Sequence, residues 1–239
     1  MYKRVLLKLS GEALGDNNSS SIIDLNALNS ICEKIKILHD ENLEIAIVVG
    51  AGNIWRGKLA ESIGLDRVPA DFMGMMGTVI NAVTMSSALK KIGVDSVVYS
   101  AIPEIKDVTI AYDTDKVKED LTKGKVCFLA GGTGKPYFTT DTASTLRAKE
   151  LECDAILMAK NGVKGVYDKD PRVYPDAKFL PVVTYQEMID MNIQIMDQSA
   201  VQLIKDTDIE ILVFSMQNVE NFQRAAKGEN VGTIIKNEK

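Results

Sequence analysis

Three glycine-rich turns each follow an apolar run of the kind found in buried strands. The turns are Ser10-Gly11, residues 50–53 and residues 131–134. Continuous apolar runs are typical of strands buried on both faces of a parallel sheet, whose ligands bind beyond the carboxyl ends of the strands. Glycine there lets backbone N–H groups approach an anion closely, usually a phosphate. Three such turns therefore indicate a site for several phosphates, on two nucleotides or on one long one.

Lys8 lies inside the first apolar run, directly before Ser10-Gly11. A buried ammonium group without a partner is costly, so Lys8 is expected to pair with an anion. At the carboxyl end of a strand, beside glycine, a phosphate is a natural partner. The structural alternative is a lysine whose ammonium group snorkels from the strand end to water.

Four other side chains each have a functional and a structural interpretation. Arg56 follows the second glycine turn, where a guanidinium fits phosphate binding but could also be an ordinary surface group. Asp71 could accept hydrogen bonds from a ribose or cap the long helix that follows. Asp197 could likewise be a helix N-cap. Tyr167 could stack on a base or pack a hairpin.

The third glycine turn continues into Lys135-Pro136, which superficially resembles a P-loop. However, the chain has no G-x-x-x-x-G-K-[ST] string, and Pro136 takes the place of the Ser/Thr. The chain is therefore not an ordinary P-loop kinase, and the lack of G-x-G-x-x-G after the first strand disfavours a Rossmann dehydrogenase. Thr139-Thr140-Asp141 then opens a predicted helix. Its hydroxyl and amide groups could hold a phosphate, read a base edge or simply cap the helix.

Composition narrows the classes of function. The net charge of −5 disfavours broad nucleic-acid binding, although it allows a local basic pocket. The apolar runs are shorter than the roughly 20 residues of a membrane span, and the first is too short for a signal peptide. We therefore expect a cytoplasmic protein without membrane or nucleic-acid partners.

Cysteine and histidine usage disfavours metal sites and hydrolase triads. Cys32, Cys127 and Cys153 fit no metal-binding spacing and are expected to be core thiols. The only histidine, His39, lies near the end of a predicted helix. A serine or cysteine nucleophile would therefore have no histidine base other than His39.

The elements that must position these residues alternate between strand and helix. Strands are predicted at residues 3–9, 44–49, 94–99, 125–130, 154–159, 209–214 and 231–235. Helices are predicted after Asp24 and at residues 71–92, 114–123, 141–150, 184–190, 197–206 and 218–226. Such alternation predicts an α/β fold, a three-layer αβα sandwich with a mainly parallel open sheet.

Three segments add detail to this arrangement. The Met-rich helix at 71–92 is apolar on more than one stripe, which predicts burial by the core and by a second subunit. Residues 16–21 are expected to form a polar loop. Residues 168–176 are polar and punctuated by proline, so they could form a lid or a surface loop.

Five segments carry a specific resemblance. They are residues 8–14, 52–57, 71–75, 132–141 and 165–171. Together and in this order they resemble the bacterial uridylate kinases of the amino acid kinase superfamily, over about residues 3–235. The first and last segments alone would indicate only the superfamily, which includes carbamate, glutamate, acetylglutamate and aspartate kinases.

The resemblance implies one amino acid kinase-like domain over residues 1–239, with an open sheet of about eight strands between helical layers. About residues 1–150 would bind UMP and about residues 151–239 would bind ATP. It implies transfer of the γ-phosphoryl group of ATP to UMP with Mg²⁺, giving UDP and ADP in pyrimidine nucleotide biosynthesis. No residue is assigned as a direct metal ligand.

The resemblance also assigns roles to individual residues. The catalytic residues would be Lys8, Arg56, Asp197 and Lys160, with Asp197 orienting the catalytic lysine or the metal. ATP would be bound by Lys8, Leu9, Ser10, Gly11, Gly52, Arg56, Asn161, Tyr167 and Asp170. UMP would be bound by Ala51, Asp71, Thr133, Gly134, Lys135, Pro136, Tyr137, Phe138, Thr139 and Thr140, with Asp71 on the ribose and Thr140 near the uracil.

The sequence departs from the family pattern in two places. Ala51 stands where glycine is usual, and its methyl group is tolerable only if its φ is negative. The Gly-Phe-Gly-Ile-like segment linked to GTP activation in many relatives is replaced by residues 16–21 and Ile22-Ile23. GTP activation is therefore in question, whereas UTP inhibition through the UMP pocket stays plausible. A homohexamer built from dimers is implied.

Two other functions compete with this interpretation. One is a kinase of the same superfamily that acts on a carboxylate or carbamate, which would not need Asp71 and Thr140 arranged for a nucleoside. The other is a uridine-nucleotide sensor without catalysis, which the intact Lys8, Arg56 and Asp197 disfavour.

Overall fold

The computed structural model describes residues 2–15 and 21–238. The predicted loop at 16–21 lies outside the described residues apart from Ser21. The strands are β1 (Arg4–Leu9), β2 (Glu44–Val49), β3 (Ser96–Ser100), β4 (Ile110–Ala111), β5 (Val126–Ala130), β6 (Ala155–Lys160), β7 (Val166–Tyr167), β8 (Phe179–Leu180), β9 (Val182–Thr184), β10 (Glu210–Ser215) and β11 (Thr233–Lys236).

The helices lie between these strands. They are α1 (Leu25–Asp40), α2 (Gly57–Ser62), α3 (Arg67–Lys91), α4 (Thr114–Thr122), α5 (Thr140–Glu150), α6 (Tyr185–Asp190), α7 (Gln198–Ile204) and α8 (Val219–Ala226), with a 3₁₀ turn at Gly11–Leu14. Asp24 caps α1 as predicted, because its carboxylate accepts the Ala27 N–H.

Nine strands form one sheet within the described residues, in the order β4-β3-β5-β2-β1-β6-β10-β11-β9. All neighbours pair in parallel except β10 and β11, which are antiparallel. Strand β1 therefore lies between β2 and β6. The strands β2 to β5 lie on one side of β1, and β6, β9, β10 and β11 lie on the other. The resulting crevice at the carboxyl ends of β1, β2 and β6 is where such sheets bind ligands.

Helices cover both faces of the sheet, so the predicted three-layer α/β fold is confirmed. On one face Leu7 packs in a cluster with Ile35 of α1 and Met85 of α3. On the other face Leu6 packs with Leu121 of α4 and Ile204 of α7. Adjacent residues of β1 thus belong to two different cores, which is why the strand reads as a continuous apolar run.

The long helix begins earlier than the sequence predicts. Asp66 occupies the N-cap position of α3, and Asp71 lies in its second turn, so the alternative that Asp71 caps this helix is wrong. Pro69 lies in the first turn, where its missing N–H costs no helical hydrogen bond. By length and composition α3 could cross a membrane, but half of its most apolar stretch is buried inside the protein, as in a core helix.

Candidate active site

The first two glycine turns touch each other at the carboxyl edge of the sheet. A Cβ atom on Gly11 would lie 2.4 Å from the Gly50 carbonyl oxygen and 2.8 Å from the Gly52 nitrogen. No larger residue fits without moving backbone, so glycine is required here by close approach. The turns after β1 and β2 therefore form one continuous backbone surface.

Helix α3 holds the second and third turns in place. Asn81 is fully buried and donates to the Gly50 carbonyl at 2.8 Å and to Asn53 Oδ1 at 2.8 Å. Three residues earlier, Thr78 accepts the Gly131 N–H at 2.8 Å. Both polar side chains lie on the face of α3 that meets the sheet edge, so one helix fixes the spacing of two turns.

Two lysines and a carboxylate meet at the centre of this edge. Lys8 Nζ lies 2.7 Å from Asp141 Oδ1 in the first turn of α5. Burial lowers the pKa of Lys160 at the end of β6, and the nearby charge of Lys8 lowers it further, whereas Asp141 raises it. The two ammonium groups outweigh the single carboxylate, so the cluster favours an added anion.

Asp141 is the central residue that the sequence analysis did not assign. Lys8 was expected to need an anionic partner, and the available signal was an acidic residue in the first turn of the helix after the third glycine turn. Asp197 was expected to orient the lysine or the metal, but the structure places Asp141 rather than Asp197 on Lys8.

Asp197 has different partners because it caps α7. Its Oδ1 accepts the Ala200 N–H at 2.8 Å, and its Oδ2 accepts the Thr139 hydroxyl. The predicted cap role is confirmed, and Thr139 in turn caps α5 by accepting the Thr142 N–H. Asp197 thus ties α7 to the start of α5, beside Asp141.

A cavity of about 570 Å³ lies between the second turn, the start of α3 and the loop after β5. Of the residues predicted to bind UMP, it is lined by Ala51, Asp71, Thr133, Lys135, Phe138, Thr139 and Thr140. Trp55, Arg67 and Met75 also line it, and the sequence analysis did not assign them.

Three predicted residues of the same loop, Gly134, Pro136 and Tyr137, are not part of this lining. Gly134 has φ of +77° and faces the chain after β3, where a Cβ would lie 2.5 Å from the Ala101 carbonyl oxygen. Tyr137 is exposed on the rim, with the Arg67 guanidinium over its ring. These residues shape the loop rather than the cavity wall.

Asp71 joins α3 to that loop. Its carboxylate accepts Arg67 Nε at 2.8 Å and the Tyr137 N–H at 2.7 Å. Tyr137 has φ of +72°, a conformation that a bulky residue rarely adopts, and the Asp71 contact holds it there. Asp71 therefore lies where a ligand in the cavity would meet both the helix and the loop.

Ala51 in the second turn and Arg56 shortly after it both have conformations and contacts that the structure defines. Ala51 is absent from the residues with positive φ, so its methyl group is tolerated, and it packs closely on Gly77. Arg56 donates to the Gly52 carbonyl at 2.9 Å and pairs with Glu12 at 2.8 Å, with its guanidinium largely exposed. Arg56 therefore lies next in sequence to Trp55 and Gly57, which line the first cavity, and is ion-paired there.

A second cavity of about 530 Å³ lies on the other side of Lys160. The predicted ATP residues Asn161, Tyr167 and Asp170 all line it. The Tyr167 ring packs edge-on against Phe179 across the β7–β8 ribbon, with centroids 5.5 Å apart. The segment 168–176 includes residues of this wall, and hydrogen bonds from Arg172 lower the pKa of Asp170.

The remaining predicted ATP residues lie at the sheet edge. Leu9 is buried in the core, so only its backbone can face a ligand. Ser10 is exposed directly after β1, and Gly11 begins the 3₁₀ turn. Within the described ranges, no group of three His, Cys, Asp or Glu side chains could hold a metal ion.

Comparisons with known proteins agree with this architecture. The model of the amino acid kinase family matches residues 3–215. The chain is 46% identical to the uridylate kinase of Mycoplasma capricolum subsp. capricolum, over 98% of both chains. It is 45% identical to the uridylate kinase of Streptococcus thermophilus, over 99% of this chain and 96% of that one.

Solved structures give the same result. A crystal structure of UMP kinase from Bacillus anthracis matches with a TM-score of 0.96 and 38% identity, over 100% of this chain and 97% of that one. A crystal structure of UMP kinase from Ureaplasma parvum matches with a TM-score of 0.92 and 37% identity, over 99% of both chains. With its fold, its glycine turns and these relatives in agreement, the chain belongs to the amino acid kinase family and, within it, to the uridylate kinases.

Proposed function

We propose that this protein is a UMP kinase that transfers the γ-phosphoryl group of ATP to UMP, giving UDP and ADP. The observation that carries the proposal is the position of two cavities around one cationic centre. Residues 138–140, which precede Asp141, are part of the lining of the first cavity, and Lys160 is part of the lining of the second. Two nucleotides bound there would direct their phosphates toward Lys8 from opposite sides.

The mechanism follows from charge. Phosphoryl transfer requires little covalent chemistry from the protein, which must align two polyanions and offset their repulsion. Lys8, Lys160, Arg56 and the backbone amides of the glycine turns would supply that stabilisation. The phosphate of UMP is already largely ionised at neutral pH, so no general base is needed. A single histidine in the whole sequence is consistent with this chemistry.

Mg²⁺ would enter with ATP and help neutralise the phosphate charge. In kinase sites it keeps several waters and binds substrate phosphates with one or two carboxylates. The described residues fit that arrangement, because Asp141 lies in the first turn of α5 and Asp197 accepts from Thr139 at its N-cap, and the two do not form part of a three-ligand cluster. Of the two alternatives for Asp197, orienting the catalytic lysine or orienting the metal, we propose the second.

The division of the chain between substrates follows the two cavities. The first is lined by residues between 51 and 140, and the second mainly by residues between 160 and 213. We therefore assign UMP to about residues 1–150 and ATP to about residues 151–239 of one domain. Asp71 would hold the ribose and Thr140 would lie near the uracil. Inhibition by UTP would follow from its occupying the UMP cavity.

Substrate specificity gives the test. ADP formation from ATP and Mg²⁺ is measured with UMP, CMP, dUMP, carbamate and glutamate offered separately, with and without GTP. Turnover confined to UMP supports the proposal. Turnover with carbamate or glutamate would instead identify a different kinase of the superfamily, and binding of UMP or UTP without turnover would identify a nucleotide sensor.

A further inference from the structure

The third glycine turn has one internal backbone hydrogen bond, from the Gly134 N–H to the Gly131 carbonyl at 2.9 Å, and the Thr133 hydroxyl bonds the Lys135 backbone. No hydrogen bond within the turn uses the Gly132 carbonyl or the Gly131 N–H. Gly131, Gly132 and Gly134 all have positive φ, between +60° and +78°. Glycine has the largest backbone freedom of any residue, and none of the three has a side chain that could anchor the turn. Gly132 and Thr133 nevertheless line the first cavity, so a ligand there depends on where this turn lies.

Side chains from two helices, α3 and α5, hydrogen-bond to the backbone of the turn. From α3, Thr78 accepts the Gly131 N–H at 2.8 Å. From α5, the Arg147 guanidinium donates from Nη2 to the Gly132 carbonyl at 3.2 Å. Arg147 is only 5% exposed and does not line the cavity itself. Arg147 therefore contacts a residue of the cavity wall, Gly132, without facing the cavity itself.

The Arg147 guanidinium is itself fixed by its neighbours. Its Cζ lies 3.8 Å from the centroid of the Tyr112 ring, and its Nη1 donates to Glu150 at 2.7 Å. The Tyr112 hydroxyl donates to the same Glu150 carboxylate oxygen at 2.6 Å. Burial and this hydrogen bond raise the pKa of Tyr112 to about 12, so the phenol stays a protonated donor. Stacking, ion pairing and the shared carboxylate leave Nη2 pointed at the turn.

We propose that Arg147 is a positioning residue for UMP binding, which sets the third glycine turn against the first cavity through Gly132. The inference rests on the proposed function. Arginine is suited to this role because its planar fork stacks on Tyr112, pairs with Glu150 and reaches Gly132 at the same time. A lysine has one nitrogen, so it cannot make all three contacts.

The test compares the buried Arg147 with the partly buried Arg4. Arg147→Lys keeps the charge but loses the planar fork. Arg4→Lys is the matched control, because Arg4 also pairs with a carboxylate, Glu44, and donates to a backbone carbonyl, that of Leu151. Arg4 lies at the amino end of β1, away from the glycine turns. Steady-state kinetics and UMP binding by calorimetry are measured at a temperature below both melting points.

We expect Arg147→Lys to raise the KM and Kd for UMP about fivefold, the size expected for loss of one hydrogen bond. The KM for ATP should stay within about twofold. Arg4→Lys should lower the melting temperature and leave both KM values within the same limit. Unchanged UMP constants in Arg147→Lys, or equal changes for UMP and ATP, would overturn the inference.

A second variant covers the case in which Arg147→Lys does not fold. Tyr112→Leu removes the ring under the guanidinium and leaves Arg147 in place, so it should raise the KM for UMP less but in the same direction. An unchanged KM in that variant would also overturn the inference. Absence of UMP turnover in the wild-type protein would contradict the proposed function instead, so the two failures are distinguishable.

Discussion

Lys8 and Lys160 bring two positive charges to one carboxylate, Asp141, and in the proposed mechanism this excess of charge attracts the substrate phosphates. Asp141 keeps Lys8 in place at 2.7 Å while the substrates are absent. In the proposed mechanism, Lys8 would exchange part of this ion pair for contacts with the transferred phosphoryl group. Such pre-organised charges contribute most in a partly buried site, where water screens them least.

Removing the Lys8 ammonium group tests whether Lys8 stabilises the phosphoryl group during its transfer. In Lys8→Ala, kcat should fall by about 10²–10³, the size seen when one pre-organised donor is lost. The Kd for UMP, measured by calorimetry, should stay within about twofold because the first cavity is intact. Lys36→Ala removes an exposed lysine that pairs with Asp40, and it should change neither value. Turnover in Lys8→Ala comparable to that of the wild type would remove Lys8 from catalysis.

The lowered pKa of Lys160 predicts a pH effect. Because burial and Lys8 favour its neutral form, Lys160 loses its proton at a lower pH than an ordinary lysine. The cationic form is the active one, so kcat/KM for ATP should fall as pH rises through that lowered pKa. In Lys160→Arg the charge persists, so the fall should move to higher pH. If kcat/KM for ATP falls at the same pH in both proteins, the ionisation of Lys160 does not control this fall.

The sequence predicts Lys8 better than its partner. Lys8 stands out because it interrupts an apolar strand, and burial of its charge implies an anion. Asp141 has no such signal, because an acidic residue in the first turn of a helix is ordinary. Only the packing of α5 against β1 brings the two within 2.7 Å. Long-range contacts of this kind cannot be inferred from local pattern.

At the scale of elements, long apolar runs predicted the structure and short ones did not. The strand at 44–49 is confirmed at both ends, α1 begins directly after Asp24 as expected, and both ends of α4 and α8 lie within one residue of expectation. The sequence analysis missed α2, β4, β7, β8 and β9, which contain two to six residues each. Elements this short span too few side chains to show a periodic pattern. The seven predicted strands, together with β4 and β9, make up the nine strands of the main sheet, where the family resemblance implied about eight.

The contact between the first two turns predicts a stability effect. Gly11→Ala would place a methyl group 2.4 Å from the Gly50 carbonyl oxygen, so backbone must move. We expect a loss of about 1–3 kcal/mol in the free energy of unfolding, measured by denaturant titration. Gly57→Ala is the control, since its Cβ would meet nothing within 4 Å, and alanine favours the helix there. Equal stability of both variants would mean that the turns do not touch as described.

At the scale of the whole molecule, the two halves of the sheet meet at β1, where the strand order reverses. The first cavity is lined by residues from one half and the second by residues from the other, and Lys160, which lies near Lys8 and Asp141, lines the second. The outer face of α3 carries exposed apolar side chains. Phe72, Met76 and Ile80 are spaced four residues apart, and the last two are each 51% exposed. This stripe favours burial against a second copy of the chain.

The stripe predicts an oligomer that a single charge should disrupt. The wild-type protein should give a mass in light scattering well above the 26.2 kDa of one chain, as in a homohexamer built from dimers. Ile80→Lys should shift it to a smaller species, because a lysine would be buried at the contact. Val219→Lys changes an exposed residue at the start of α8 and should leave the mass unchanged. A wild-type monomer at micromolar concentration would contradict this.

The most direct test of the account follows the phosphoryl group itself. The protein is incubated with Mg²⁺, UMP and ATP labelled in its γ-phosphate, and the nucleotides are then separated. Label should appear in UDP at the rate at which ADP forms, and Lys8→Ala should lose both together. Label that appears only as inorganic phosphate, or ADP formation that does not depend on UMP, would contradict phosphoryl transfer between the two cavities.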